Sequence, residues 1–367
     1  MGRPRPRVVA IVGARPQFIK LAALLRRLDK AFDSRVAHTG QHYDPEMSGD
    51  FFAEYKLRRP DVCLNVGPAP PNRQLGRMLD LLDRHFSRLK PQAVLVFGDT
   101  TTTMAGAVAA AVCNIPVAHV EAGLRSFDLR MAEEKNRVIA DHLSTWLFCP
   151  TTEAVRDVKA ESIRGGVFGV GDVMAETFRI PRRFPVSGFS SRATGAGLGT
   201  RPTDEYYFVT VHRAEAVDDP DNLATLVEMI IALDRPVVFP VHPRTMKNLK
   251  RHRLLARLVR HEGIQLLPPI NHHQSLWLIA NAHAVLTDSG GVQKEAYWAG
   301  VRCLTLRTVT EWRLLVAAGW NELVGFSRPK LLRALRSPFR PRRVTDPVFA
   351  RTNASTAIIR RLRSDLR

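Results

Sequence analysis

Short, mainly apolar runs alternate with amphipathic stretches along almost the whole chain. Residues 8–12, 93–97 and 115–120 are runs of strand length, and each ends on a turn former or an acid: Gly13, Gly98-Asp99 and Glu121. Runs this short with no polar alternation predict buried parallel strands, and a further strand is expected at 34–37. The stretches at 18–28, 74–88 and 104–112 have helical periodicity, with Pro16 suited to a first turn and Thr100 to Thr103 suited to capping. The alternation stops at 181–203, a run rich in Pro, Gly and Ser that reads as a linker or mobile loop. It resumes with strands expected at 206–211, 236–241, 264–267, 284–287 and 303–306, and a helix at 222–233. Strand and helix in this alternation predict a doubly wound parallel sheet; two such halves predict an α/β protein of two Rossmann-like domains facing across a cleft. The expected boundaries are 1–180 for the first domain, 181–203 for the linker, 204–345 for the second domain, and 346–367 for a basic helix packing back on the first.

A chain of 367 residues is long enough for both domains to bury their own cores, and its apolar (45%) and charged (24%) contents are those of a globular protein. No window approaches 18 uninterrupted apolar residues, so no membrane insertion is expected, and the basic start MGRPRPR runs into a strand-like segment with no cleavage site. Cys63, Cys113, Cys149 and Cys303 are scattered without a C-x-x-C pair, which argues against a zinc site or disulfide framework and fits a reducing cytoplasm. The net charge of +19 raises the question of nucleic acid. Residues 327–367, however, hold twelve Lys or Arg against two Asp, about half of the excess, with only Phe339 and Phe349 to stack bases. A solvated basic region is expected there, and no nucleic-acid partner.

The stretch LTDSGGVQKE, residues 286–295, reads as a strand end, a Gly-Gly turn and a helix starting near Val292. Gly290 and Gly291 allow close approach of the backbone, and the unpaired N–H groups and dipole of a first helical turn favour an anion, above all a phosphate or pyrophosphate. Ser289 opens the turn, and Glu295, inside the helix, is placed to bridge the two hydroxyls of a ribose. The alternative is a Ser-Gly-Gly that serves only as a capped turn. Ligands of such sheets lie beyond the carboxyl ends of the strands, so the other strand ends should line the same site. They supply Gly13 and Arg15 with Lys20 one turn further, Asp99, Glu121 with Arg125, His212 with Arg213, and His242. Carboxylates, histidines and cations gathered on one rim point to catalysis. Glu133 and Glu134 open the next expected helix beside Asn136 and Arg137. Carboxylates round a cleft suit proton transfer to and from carbon, and the competing reading of this pair is a favourable charge at a helix N-terminus. His272 and His273 are adjacent, point in opposite directions and are expected to lack carboxylate partners, so no metal site is expected there.

Eight segments stand in order from the first strand onward: GARPQFIK (13–20), TGQHYD (39–44), FGDTTTT (97–103), HVEAGLRSFD (119–128), EEKNR (133–137), VHRAE (211–215), PVHPR (240–244) and DSGGVQKEA (288–296). Together they resemble the non-hydrolysing UDP-N-acetylglucosamine 2-epimerases over nearly the whole chain. The resemblance implies a GT-B-like fold, a UDP-sugar substrate, a homodimer, and interconversion of UDP-N-acetylglucosamine with UDP-N-acetylmannosamine without NAD or an essential catalytic metal. In that family UDP and the C2 proton leave to give 2-acetamidoglucal, then add back with the proton on the other face. Position by position, it implies proton transfer by Asp99, Glu121 and Glu133, and His212 near the diphosphate. Arg15 and Lys20 would meet sugar and phosphates, Ser289, Gly290 and Gly291 the diphosphate, and Glu295 the ribose. The chain departs from the pattern at Ala132, where many relatives have proline, at Ser275, where an aromatic ring would stack, and at Trp312, where some have a basic residue. The readings beside this one are a 2-epimerase of a substituted UDP-2-acetamido sugar, a hydrolysing epimerase releasing N-acetylmannosamine and, more remotely, a GT-B glycosyltransferase or a polyanion-binding protein.

Overall fold

A computed structural model describes residues 4–41, 52, 54–163, 165–181 and 206–366. The expected linker lies outside the described residues from 182 to 203, as do His42, Tyr43 and Asp44 of the TGQHYD segment. The chain divides into two compact units, Met1–Thr177 with Thr345–Arg367, and Phe178–Val344.

The first unit is built on a seven-stranded sheet: β1 (Arg7–Val12), β2 (Asp33–His38), β3 (Val62–Cys63), β4 (Ala93–Phe97), β5 (Val117–Val120), β6 (Trp146–Cys149) and β7 (Gly166–Gly169). Its order is β3-β2-β1-β4-β5-β6-β7, and every pairing is parallel. The second unit holds a six-stranded sheet: β8 (Tyr207–Thr210), β9 (Val237–Pro240), β10 (Ile264–Leu267), β11 (Ala284–Thr287), β12 (Arg302–Thr305) and β13 (Asn321–Leu323). Its order is β10-β9-β8-β11-β12-β13, again all parallel. Strand order reverses direction between β1 and β4 in one sheet and between β8 and β11 in the other; these are the points where open α/β sheets bind ligands.

Four strands had no distinct signal in the sequence. β3 and β13 have only two and three residues, β7 is half glycine, and β6 is a four-residue run between helices. The strand expected from 115 begins instead at Val117, because Pro116 has no N–H for the ladder and offers only its carbonyl, to Val94 N at 3.0 Å. The helix expected to start near Val292 begins at Gly290, with Ser289 as N-cap, two residues earlier than its apolar pattern suggests.

Helix Arg15–Ala31 buries Phe18, Leu21, Leu24, Leu25 and Leu28, a single stripe at helical spacing, and Pro16 sits in its first turn as expected. Helix Thr101–Val112 is made of small residues because it lies close on the sheet. A Cβ at Gly106 would stand 2.9 Å from both Ile11 Cδ1 and Val96 Cγ1. On one face of the sheet Val9, Ile11, Val94 and Val96 pack with Met78, Leu82 and Phe86. In the second unit Tyr207 and Val209 pack with Leu226, Val227 and Ile230, while Phe208 and Val285 pack with Trp277, Leu278 and Ala296. The central strands β8 and β11 of the second sheet are thus covered on both faces, as buried parallel strands require. The C-terminal helix Ala354–Asp365 belongs to the first unit and packs on Arg15–Ala31 and on Val173–Thr177. Trp146 Nε1 donates to its Asp365 at 2.6 Å, and its Ser355 N donates to Glu176 at 2.7 Å. No helix among the described residues is long and apolar enough to cross a membrane.

Gly123 follows β5 with φ of +81°, and a Cβ there would meet Ala154 O at 2.6 Å. Gly123→Ala is expected to destabilise the first unit by about 2 kcal/mol or more, read as a lowered urea midpoint with little change elsewhere in the fold.

Candidate functional site

At the switch point of the first unit, Gln17 ties two strand ends together. Its Oε1 accepts from Gly13 N (2.8 Å) and Ala14 N (3.0 Å) after β1, and its Nε2 donates to Phe97 O (3.0 Å) at the end of β4 and to Thr103 Oγ1 (3.1 Å). An amide gives no chemical signal in sequence, so the bracing role of Gln17 within the GARPQFIK segment is visible only in the fold. Arg15 starts the helix that follows and is half-buried; Lys20, a turn further, reaches Glu121 with Nζ 2.8 Å from Oε1. Both side chains are about nine-tenths enclosed or more, at 6% and 10% exposed. Gly98 is glycine partly for this pair, since its φ is +61° and a Cβ would lie 2.8 Å from Lys20 Nζ.

Glu121 has φ of +69°, a left-handed conformation that costs a non-glycine residue of order 1–3 kcal/mol. The cause is visible in the ladder: Glu121 N and Ala122 N both donate to Phe148 O, each at 3.1 Å, which tightens the chain at the end of β5. Asp99, in the turn after β4, is held from helix Ala132–Leu143. Asn136 Nδ2 donates to its carbonyl at 2.9 Å, and Arg137 pairs with its carboxylate. Glu133 is in the first turn of that helix and half-buried. Glu134 is buried and takes a different part: it accepts from Ser126 N (3.0 Å), Ser126 Oγ (2.8 Å), Phe127 N (2.9 Å) and Arg137 (2.8 Å), fixing the loop after β5.

Arg125 does not join the rim. It is 1% exposed, its Nε and NH2 sit on Glu161 at 2.6 and 2.7 Å, and its NH1 sits on Asp141 (2.6 Å) and Leu124 O (2.8 Å). Two carboxylates hold its charge and raise its pKa against the opposing effect of burial. Asp141 is the centre of this network. Burial pushes its carboxyl up, but His119 and Arg125 outweigh it and hold the pKa below its ordinary 3.8. His119 Nδ1 is 2.6 Å from Asp141 Oδ1 and its Nε2 is 2.7 Å from Gly98 O. Asp141 Oδ2 also accepts from Gly123 N at 3.1 Å. The signal for His119 was available: it is a polar residue inside the fully buried strand β5.

At the switch point of the second unit, Asp288 is fully buried and its Oδ2 accepts from His212 N (2.8 Å) and Arg213 N (2.7 Å), while His212 Nδ1 is 3.4 Å from Oδ1. Asp288 thereby joins the end of β11 to the turn after β8. His212 is 38% exposed at its side chain, and its ring centroid is 5.4 Å from that of His242. His242 is the N-cap of helix Pro243–Arg251; its Nδ1 accepts from Arg244 N at 3.2 Å, which leaves the ring proton on Nε2. The turn 288–291 leads into helix Gly290–Ala299, whose first N–H groups have no intrahelical acceptor. Gly290 has a packing reason to be glycine: Glu311 Oε1 would be 2.2 Å from its Cβ. Glu311 carries Arg307 NH1 at 2.9 Å and has Arg213 NH2 at 3.9 Å, so cations flank the turn. Nothing in RTVTE (307–311) marks Arg307 and Glu311 as neighbours of a turn 16 to 23 residues upstream. Glu295, buried in the same helix, is paired with His272 Nε2 at 2.6 Å, so His272 does have a carboxylate partner, one 23 residues away that only the fold brings to it. Among the described residues no group of three or more His, Cys, Asp or Glu is placed to hold a metal ion.

Two all-parallel doubly wound sheets, one with carboxylates and a lysine at its switch point and the other with a glycine turn flanked by arginines, define a GT-B-like protein of two Rossmann-like units. Residues 26–363 match the model of the family described as UDP-N-acetylglucosamine 2-epimerase. A UDP-N-acetylglucosamine 2-epimerase homolog of Methanococcus maripaludis is 42% identical over 98% of this chain and 99% of its own. The UDP-2,3-diacetamido-2,3-dideoxy-D-glucuronate 2-epimerase of Pseudomonas aeruginosa is 38% identical over 90% and 92%. The solved UDP-GlcNAc 2-epimerase of Methanocaldococcus jannaschii, in complex with UDP-GlcNAc and UDP, superposes with a TM-score of 0.86 at 36% identity, covering 97% of this chain and 99% of that one. The chain belongs to the UDP-N-acetylglucosamine 2-epimerase family.

Because the pKa of Asp141 is depressed on folding, its contribution to stability is present above pH 3.8 and is lost as pH falls through the folded value. Asp141→Asn should lower stability by about 3–5 kcal/mol near neutrality. In thermal melts the gap to the parent protein should hold between neutral pH and pH 5 and narrow below pH 4; a gap that does not change with pH would show that the carboxylate charge is not what the network needs.

Proposed function

We propose that this chain is an isomerase that interconverts UDP-N-acetylglucosamine and UDP-N-acetylmannosamine by eliminating UDP and adding it back. The observation that carries the reading is the enclosed Lys20–Glu121 pair at the switch point of a chain that belongs to this family. In the forward step a carboxylate takes the C2 proton, the C2–H electrons form the C1=C2 bond of 2-acetamidoglucal, and the C1–O bond breaks with its electrons going to UDP. A carboxylic acid then returns a proton to the opposite face of C2 as UDP adds back at C1. Asp99, Glu121 and Glu133 are the groups assigned to proton transfer, Asp99 being aimed by Asn136 and Arg137.

Charge that builds on the departing diphosphate needs fixed cations and dipoles. In this reading they are the first-turn N–H groups of helix Gly290–Ala299 with Ser289, Gly290 and Gly291, together with His212, Arg213 and His242. Arg15 and Lys20 meet sugar and phosphate, and Glu295 takes the ribose hydroxyls. Arg125 is left out because its donors are already on Asp141, Glu161 and Leu124 O. The similarity to a relative that acts on a 2,3-diacetamido sugar supports one second reading, a more substituted UDP-2-acetamido sugar at the same site. The partner we infer is a second copy of the chain. Helices Thr101–Val112 and Ala132–Leu143 pack on one another and expose Val112, Ile139 and Leu143. Four free thiols fit a reducing cytoplasm.

Proton NMR of the protein with UDP-N-acetylglucosamine in D2O should show UDP-N-acetylmannosamine with deuterium at C2. Exchange only with a 2,3-diacetamido sugar would move the substrate to the second reading, and no C2 exchange with either would end both. Asp99→Asn and Glu121→Gln should each slow C2 exchange by about 10²–10⁴-fold while leaving calorimetric UDP binding unchanged. Light scattering that returns the mass of one chain would remove the homodimer.

A further inference from the structure

The second unit contains a buried ion-pair geometry that the proton-transfer scheme does not use. His272 is the first residue of helix His272–Ala280, and its Nε2 lies 2.6 Å from Oε1 of Glu295 in helix Gly290–Ala299, against which the first helix packs. The two side chains are only 6% and 5% exposed. The position of His272 is itself braced. Asn271 caps the helix, its side chain accepting from Gln274 N at 2.9 Å, while Gln274 Oε1 accepts from Asn271 N at 2.9 Å. A reciprocal capping box of this kind fixes the first turn, and with it the ring.

The consequence falls on Glu295. The terminal torsion of a glutamate is broad, so a carboxylate plane is not set by the helix that carries it. Bridging a vicinal diol requires that plane in one orientation, because the two hydroxyls of a ribose are fixed with respect to each other. A carboxylate offers about four acceptor sites, so one donor from His272 and two from a diol are within its capacity. An enclosed N–H donor at hydrogen-bond distance therefore orients the group without using up its capacity, and removes an ordering cost from the binding step.

We propose that His272 is a positioning residue for ribose recognition, holding the Glu295 carboxylate in the plane that accepts from the 2′- and 3′-hydroxyls, and so setting the preference for a ribonucleotide over a 2′-deoxyribonucleotide. The proposal rests on the assignment of Glu295 to the ribose. The experiment is calorimetry of the full chain with UDP and with 2′-deoxy-UDP, for the parent protein, Glu295→Ala, His272→Leu and His272→Gln. Leu fills the buried site without a donor, and Gln keeps a donor near the Nε2 position.

The parent protein should bind UDP about tenfold or more tighter than 2′-deoxy-UDP, the effect of one hydrogen bond to a charged group, and Glu295→Ala should abolish the difference. His272→Leu should bring the ratio to within about threefold, and His272→Gln should restore most of it. A parent protein that does not discriminate would overturn the Glu295 assignment and this proposal with it. Discrimination that Glu295→Ala removes but His272→Leu retains would leave the assignment standing and overturn the role of His272. Equal weakening of both nucleotides in His272→Leu and His272→Gln would reduce the pair to a structural contact and equally overturn it.

Discussion

All-parallel pairing is the constraint from which the rest of the structure follows. It carries every strand's carboxyl end to one edge of its sheet, and it leaves the backbone groups just beyond those ends without a ladder partner. Each unit meets that need beyond its strand ends with a buried carboxylate. Asp288 accepts both amides of the His212-Arg213 turn, and Asp141 accepts Gly123 N while orienting His119 onto Gly98 O. A buried carboxylate of this kind is costly unless it is paired and hydrogen-bonded. Asp141 is satisfied by His119, Arg125 and Gly123 together, which is why Arg125 lies inside the protein and not on the rim.

The same arrangement explains why strain can persist at Glu121. A glutamate in a left-handed conformation survives only where its surroundings over-determine it. Here two consecutive amides share Phe148 O, Gly123 is pinned by Asp141, and Lys20 holds the carboxylate. The side chain of Glu121 leaves the strand end at an angle that an extended residue would not give. Loop geometry, buried charge and the enclosed Lys20–Glu121 pair are thus one mechanical unit, with Gln17 bracing it from the neighbouring strand end.

Glycines tell a similar story of two uses for one residue type. Gly98 and Gly123 need positive φ, whereas Gly290 is required because Glu311 fills the space of a Cβ. A sequence shows only that no side chain is present. Whether a ligand, a packing neighbour or a backbone torsion is the reason depends on what the fold brings alongside.

Local pattern by itself determined the alternation of apolar runs and helices, and with it the doubly wound class. Nearest-neighbour sterics and burial act within a few residues, so strands such as 93–97 and 264–267 were legible to the residue. The charged residues at strand ends were legible for the same reason, since parallel topology puts them on a rim. Tertiary structure alone decided the pairings across tens of residues: Arg125 with Glu161, His119 with Asp141, Glu134 with Ser126, and His272 with Glu295. It also decided β3, β6, β7 and β13, which are too short or too rich in glycine to announce themselves and exist because a neighbouring strand offers a ladder. An ion pair has no local signature; which carboxylate meets which cation is settled only when the chain has folded and burial makes an unpaired charge too costly to leave.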